Sequence, residues 1–161
     1  MYTFRNVEPN DLEEVTRLES LAFIPKVADT REAFAERIQK ISETFIVAEK
    51  DGEISGYING PVISEPYITD DLFKKIPASA EGDYLSVLGL VVSEEHQRQG
   101  LAGRLLASFT DKAKNLGVKA ITLTCTEDLM PFYERYGFVN HGPSASQHGG
   151  ERWVNMVKMI E

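Results

Sequence analysis

A single cysteine, Cys125, leaves no second thiol for an internal disulfide, and three scattered histidines (His96, His141 and His148) make no zinc-ligand spacing. No structural metal is expected. No apolar run approaches the roughly 18 residues of a membrane span, and the opening Met1-Tyr2-Thr3-Phe4-Arg5 lacks the pattern of a signal peptide. A cytoplasmic address and no membrane partner are therefore expected. Cations are scarce as well: 17 Lys and Arg against 25 Asp and Glu leave a net charge of −8. A nucleic-acid backbone needs clustered Lys and Arg, so no nucleic-acid partner is expected. A cationic partner is compatible with the acidic balance.

What is present is ordinary for a globular chain: 42% hydrophobic and 26% charged residues over 161 positions, enough to bury about two thirds of the unfolded surface. With no repeat, linker or low-complexity run, residues 1–161 read as one domain.

The pattern along the chain predicts alternating elements. A short strand at Tyr2 to Asn6 leads into a helix with Asn10 as N-cap and Leu12, Val15, Leu18 and Leu21-Ala22 as its buried stripe. Asp29 or Thr30 opens a second helix, whose apolar positions are Phe34, Ile38 and Ile41. Strands Phe45 to Ala48 and Ile54 to Ile63 flank Asp51-Gly52, a dipeptide that tolerates the positive φ of a hairpin turn. Pro66, Pro77 and Gly82 keep Ser64 to Asp83 irregular, with a helical turn expected around Asp70 to Lys75.

Then come a strand Tyr84 to Val92, a glycine-containing loop, a helix from Leu101 to Leu116 stopped by Gly117, and a strand Lys119 to Thr124. This β-α-β unit requires a parallel strand pair. A short helix follows over Asp128 to Tyr136, with Asp128 as cap, Pro131 in its first turn and Gly137 as its stop. Phe138 to Asn140 and Trp153 to Met159 close the chain as strands.

The loop Gln97-Arg98-Gln99-Gly100-Leu101-Ala102-Gly103 carries the most information. Small residues at 100, 102 and 103 let a ligand approach the backbone, and the first turn of the following helix presents unpaired amide N–H groups whose dipole favours an anion. Neither Gly-x4-Gly-Lys-Ser/Thr nor Gly-x-Gly-x-x-Gly is present, so nucleotide-triphosphate and dinucleotide loops are excluded. The run instead fits Arg/Gln-x-x-Gly-x-Gly/Ala. About thirty residues downstream stands Phe-Tyr-x-x-x-Gly-Phe (Phe132, Tyr133, Gly137, Phe138).

These two motifs at this separation, with the element order β-α-α-β-β-β-α-β-α-β-β, resemble the GNAT superfamily of acyl-CoA-dependent N-acetyltransferases over nearly the whole length. The resemblance implies an α/β (α+β) GNAT fold: a mixed, mostly antiparallel central sheet of about seven strands with helices on both faces, its fourth and fifth strands parallel and splayed. It implies acetyl-CoA as cosubstrate, its pyrophosphate bound by Gln97, Arg98, Gln99, Gly100, Leu101, Ala102 and Gly103, and its pantetheine arm paired with Leu90, Val91 and Val92 in the splayed strand. A free amide of Leu90 or Val91 would donate to the thioester carbonyl. Tyr133 would be the general acid, because a phenol of pKa about 10 can protonate a thiolate whose pKa is near 8.5. Phe132, Tyr136 and Phe138 read as packing residues and Cys125 as a small buried hydrophobe.

Within that superfamily the chain looks most like arylalkylamine N-acetyltransferases, through Ser20-Leu21-Ala22-Phe23 and the stretch from Cys125 onward. Those of animals carry two histidines on the strand before the loop, where this chain has Ser86 and Leu88. Proton removal from the amine then falls to water helped by Ser86 or Glu127, or to His148. The irregular segment, with Glu65, Asp70, Asp71, Glu81 and Asp83 beside Tyr67, Phe73 and Tyr84, is a candidate acceptor wall or a set of solvated charges. The expected activity is direct transfer of acetyl from acetyl-CoA to a small primary amine such as an arylalkylamine or polyamine. A peptide or protein N-acetyltransferase and a silent acyl-CoA sensor are the alternatives, and a homodimer is compatible with any of them.

Overall fold

A computed structural model describes residues 1–77, 81–146 and 150–160. Its strands form two sheets linked by two runs, each interrupted once. In the first sheet β1 (Thr3–Asn6), β2 (Phe45–Lys50), β3 (Glu53–Asn59) and β6 (Gly89–Val92) lie antiparallel in that order. In the second the order is β4 (Val62–Ile63), β5 (Tyr84–Val87), β7 (Ala120–Cys125), β9 (Val154–Met159) and β8 (Val139–Pro143). The β5–β7 pair is parallel, as its helical crossover requires, and its neighbours are antiparallel.

The β2–β3 hairpin turns at Asp51 (φ 54°) and Gly52 (φ 81°). Two consecutive positive φ values are the signature of a turn whose twist matches that of its strands. Beyond it, the strand expected over Ile54 to Ile63 is broken at Gly60-Pro61. Pro61 has no amide for a ladder, and its carbonyl instead accepts the amide (2.9 Å) and the hydroxyl (2.7 Å) of Ser86. A Cβ on Gly60 would stand 1.8 Å from the Ser86 carbonyl oxygen, so a side chain here would stop the two segments meeting. This break, with the one at Leu88, divides the single sheet expected from the sequence into four and five strands.

Helices cover both faces. On one side α1 (Leu12–Ala22) and α2 (Arg31–Lys40) bury Val15, Leu18, Phe34 and Ile38 against Phe45, Val47 and Tyr57. On the other, α3 (Leu101–Leu116) packs Leu101, Leu105, Leu106 and Phe109 against Ile58, Leu85 and Ile121, and α4 (Met130–Arg135) adds Tyr133. Burying each large aliphatic chain contributes about 1.5–3 kcal/mol, so these two layers hold the sheets in place.

Several local details differ from expectation. Asn10 is not a cap: Pro9–Asp11 forms a 3-10 turn, and the Asp11 carboxylate accepts the Glu8 amide in a capping box. Thr30 does cap α2, its side chain accepting the Ala33 amide at 3.1 Å. Asp128 lies inside a 3-10 turn, Glu127–Leu129, that precedes α4, and no side chain caps that turn. Leu21, expected on the buried stripe of α1, is 72% exposed, while Glu19 is 3% exposed. With 3.6 residues per turn, Val15 and Glu19 are stacked on one face, and Leu21 points away.

Candidate active site

The site begins where β5 becomes β6. The Leu88 amide donates to the Asn59 carbonyl at 2.7 Å, while Gly89 stands in register with the same Asn59. Two residues therefore oppose one, which is a β-bulge. Up to Val87 the run pairs with β7, ending at Val87↔Leu123. After the bulge it pairs with β3, while β7 continues through Thr124 and Cys125 with β9. The two parallel strands consequently part at Leu88.

A cavity of about 100 Å³ fills the fork. Val87, Leu88, Gly89 and Leu90 form one wall and Leu123, Thr124 and Cys125 the other. Tyr133 closes it from α4. Glu19, Phe23, Val27, Asp29, Phe73, Leu129 and Trp153 supply the remainder, so its surface is largely apolar with two carboxylates set into it.

Tyr133 is held by edge-on contacts with Phe132 (centroids 5.1 Å apart) and Phe138 (5.7 Å). Burial, reinforced by neighbouring Cys125, pushes its phenol well above the ordinary range, so the hydroxyl is protonated throughout neutral pH. Cys125 is buried, its thiol directed to the Met156 sulfur at 3.4 Å. Burial first, then the charges of Asp128 and Glu134, raise that thiol to about 11. It is a poor nucleophile at neutral pH.

Glu19 was not singled out by the sequence, yet it is a strongly perturbed ionisable group in the cavity wall. Its carboxylate accepts the Tyr57 hydroxyl at 2.6 Å and the Asp29 amide at 2.9 Å. Burial raises it to about 7, helped by the Asp29 charge and opposed by those two hydrogen bonds and by Arg37. An acid four residues after Val15, on an otherwise apolar stripe, was the available signal.

Behind it lies a buried ion pair. Arg37 and Asp29, 1% and 5% exposed at their side chains, meet at 3.0 Å. The guanidinium also donates to Asn59 Oδ1 (3.3 Å) and the Phe73 carbonyl (3.0 Å) and stacks on Phe34. One cation thus ties together α2, the start of the bulge and the irregular segment.

The loop at the other end of β6 is shaped for a ligand. Arg98 (φ 65°) and Gly100 (φ 77°) are left-handed, so the chain coils tightly before α3. Gly100 is the N-cap, its carbonyl accepting the Arg104 amide at 3.2 Å, and no side chain caps the helix. The first-turn amides of Leu101, Ala102 and Gly103 are left without an intrahelical acceptor. A Cβ on Gly100 would meet nothing within 4 Å, and Gln97, Arg98, Gln99 and Gly100 are all exposed. The residues therefore suit a diphosphate. Gln97 Nε2 anchors the loop to the Val92 carbonyl (3.2 Å), and the Tyr2 hydroxyl joins His96 Nδ1 (2.7 Å) to Gln99 Oε1 (3.0 Å).

Of the other residues expected at the site, Leu90 and Tyr133 share the cavity, whereas Val91 is buried on the opposite side with Tyr57 and Phe45. Ser86 is fully buried and spends its hydroxyl on Pro61, outside the cavity lining. Leu88, two residues further along the same strand, lies at the bulge. Glu127 is exposed in its turn. His148 lies outside the described residues. In the irregular segment the expected turn is a 3-10 turn at Asp70–Phe73. Tyr67 reaches His141 Nδ1 at 3.0 Å and Asp70 meets the Ser146 hydroxyl, so the segment is fastened to the region of β8.

A parting parallel pair, a bulge at the fork and an uncapped helix after a left-handed loop define a class of proteins. Residues 11–160 match the family model for the acetyltransferase (GNAT) domain, and the chain belongs to that family. Solved structures repeat the architecture. The loading GNATL domain of CurA from Lyngbya majuscula is 19% identical with a TM-score of 0.86, covering 99% of this chain and 98% of its own. The GphF GNAT-like decarboxylase, solved in complex with isobutyryl-CoA, is 15% identical with a TM-score of 0.87, over 99% and 100%. The ribosomal-protein-S18-alanine N-acetyltransferase from Escherichia coli is 20% identical with a TM-score of 0.72, over 100% and 95%. At these identities the likeness is one of fold.

Proposed function

We propose that the chain transfers acetyl from acetyl-CoA to the primary amine of a small molecule, with both substrates bound together. The observation that carries this reading is the meeting of Leu90 and Tyr133 on one small cavity at the strand fork. In this reading the amides of Leu101, Ala102 and Gly103, with the coiled Arg98 to Gly100 backbone, hold the diphosphate, and the open edge of β6 pairs with the pantetheine arm.

Successive residues of an antiparallel strand turn their amides alternately to either side. Beyond the bulge one set faces the side that β7 has left, and Leu90, on the cavity wall, offers its amide to the thioester carbonyl. Such a donor is worth about 2.7–4 kcal/mol of transition-state stabilisation. Tyr133, protonated at neutral pH, gives its proton to the departing sulfur. Ser86 takes no part, since its hydroxyl faces Pro61. The apolar walls from Phe23, Phe73 and Trp153 favour an aryl or alkyl tail over a polyamine.

The test is thiol release from acetyl-CoA with a panel of arylalkylamines, polyamines, amino acids and peptides, beside calorimetric binding of CoA. Turnover of small amines supports the reading, and turnover of peptides alone replaces it with a peptide N-acetyltransferase. Coenzyme binding with no turnover on any acceptor points to a sensor. Absence of coenzyme binding removes the reading altogether.

A further inference from the structure

A carboxylate with an apolar neighbourhood is costly to keep ionised, and a fold retains one there when something compensates it. Glu19 has partial compensation. Each of its oxygens accepts one hydrogen bond, from Tyr57 and from the Asp29 amide, and each keeps lone-pair capacity for another. Glu19 lines the same cavity as Leu90 and Tyr133, where the thioester and the sulfur's proton donor are placed in the reading above.

Among the described residues, the charged and titratable groups around it are Tyr57 from β3, Asp29 before α2, Arg37 from α2, Cys125 from β7 and Tyr133 from α4. Arg37 is already committed to Asp29, Asn59 and the Phe73 carbonyl. The cation that would balance Glu19 can therefore come from the acceptor. The cavity, about 100 Å³, is small, and away from the strand fork its lining is largely apolar. The tail must then lie along Phe23, Val27, Phe73, Leu129 and Trp153. An acid group beside the nitrogen would meet both Glu19 and Asp29.

Resting on the proposed acetyl transfer, we propose that Glu19 anchors the acceptor's nitrogen and takes its proton, and that the acceptor is a primary amine on an apolar alkyl or arylalkyl tail with no carboxylate beside the nitrogen. The ammonium N–H bond breaks and an O–H bond forms on Glu19. The freed nitrogen pair makes the N–C bond while the C–S bond breaks, and sulfur, keeping the C–S bonding pair, takes the Tyr133 proton. The second nitrogen proton returns to Tyr133 through water, and Glu19 releases its own to solvent. Overall the ammonium and the thioester give amide, thiol and one proton.

The deciding experiment is calorimetric titration of the full chain with 2-phenylethylamine, L-phenylalanine and a phenylalanine-led tripeptide, with and without CoA, from pH 5.5 to 8. Across this range 2-phenylethylamine keeps its charge, so a change in its affinity reports the protein. The expected result is binding of 2-phenylethylamine that tightens at least tenfold as pH rises through about 7, with both other probes at least tenfold weaker. Glu19→Gln, which can still bond Tyr57 and the Asp29 amide, is expected to lose the amine affinity and its pH dependence while keeping CoA affinity. No amine binding, binding flat with pH, equal binding by Glu19→Gln, or equal affinity for phenylalanine or the tripeptide would each overturn the proposal. Should the variant not fold, the wild-type pH dependence and the two competitor probes decide. Failure of CoA to bind strikes the acetyl-transfer reading instead, and the titrations without coenzyme still judge Glu19.

Discussion

The Tyr136 hydroxyl occupies the place where a side chain on Gly103 would begin: a Cβ there would stand 2.2 Å from the oxygen and 2.7 Å from the ring carbon that carries it. The absence of a side chain at 103 therefore lets α3 meet the aromatic end of α4, in addition to leaving room for a ligand. Gly103→Ala is expected to cost about 1–3 kcal/mol by overpacking, measured by urea unfolding. In a Tyr136→Leu background the same substitution should cost clearly less, because the obstructing ring is gone.

Gly100 is small for a different reason. Its φ of 77° is unfavourable for a residue with a Cβ, though nothing lies within 4 Å of that position. Gly100→Ala should lose about 1–2 kcal/mol from backbone strain alone, with no recovery from Tyr136 substitutions. Calorimetry is expected to show weaker CoA binding as well, because the strain is relieved by moving the loop that carries the amides.

Tyr133→Phe removes a hydroxyl and leaves the ring contacts with Phe132 and Phe138 intact. With an amine that the wild type acetylates, kcat should fall about 100-fold or more, the usual worth of a positioned acid. CoA affinity and thermal stability should barely change. An unchanged kcat over the neutral range would remove Tyr133 from the chemistry.

Glu19 makes stability depend on pH in a direction opposite to that of a salt-bridged acid. Its folded value of about 7 exceeds the ordinary 4.5, so between these limits the folded chain holds a proton that the unfolded chain has released. Stability then falls as pH rises through that window, by roughly 3 kcal/mol from this group. Below about 4.5 the group contributes no difference. Glu19→Gln should flatten this slope, and at pH 8 the variant should be more stable than the wild type in urea.

Arg37→Met leaves the Asp29 carboxylate buried without its cation. Breaking such a pair costs about 3–5 kcal/mol, enough to shift the urea midpoint strongly. Asp29 also supplies the amide that holds Glu19, so this variant should disturb amine binding as well as folding. Its coenzyme loop, built on α3, should be spared.

The order of elements, the Asp51-Gly52 hairpin, the parallel pair and the loop before α3 were all legible in the sequence, because each is governed by chemistry within a few residues of itself. Turn dipeptides, apolar periodicity and glycine in a left-handed position act locally. The family could be recognised for the same reason, since its motifs are short and contiguous. Cap positions were misjudged where a 3-10 turn absorbed the first residues, as at Asn10 and Asp128.

Only tertiary structure decided the contents of the cavity. Ser86 is turned away because Pro61, twenty-five residues earlier in the chain, claims its hydroxyl. Glu19 enters because α1 lies over the fork and Tyr57, thirty-eight residues later, reaches it. The ionisation of Glu19 depends on how much water is removed around it and on which charges the fold brings near, quantities set by distances in space and not by positions along the chain.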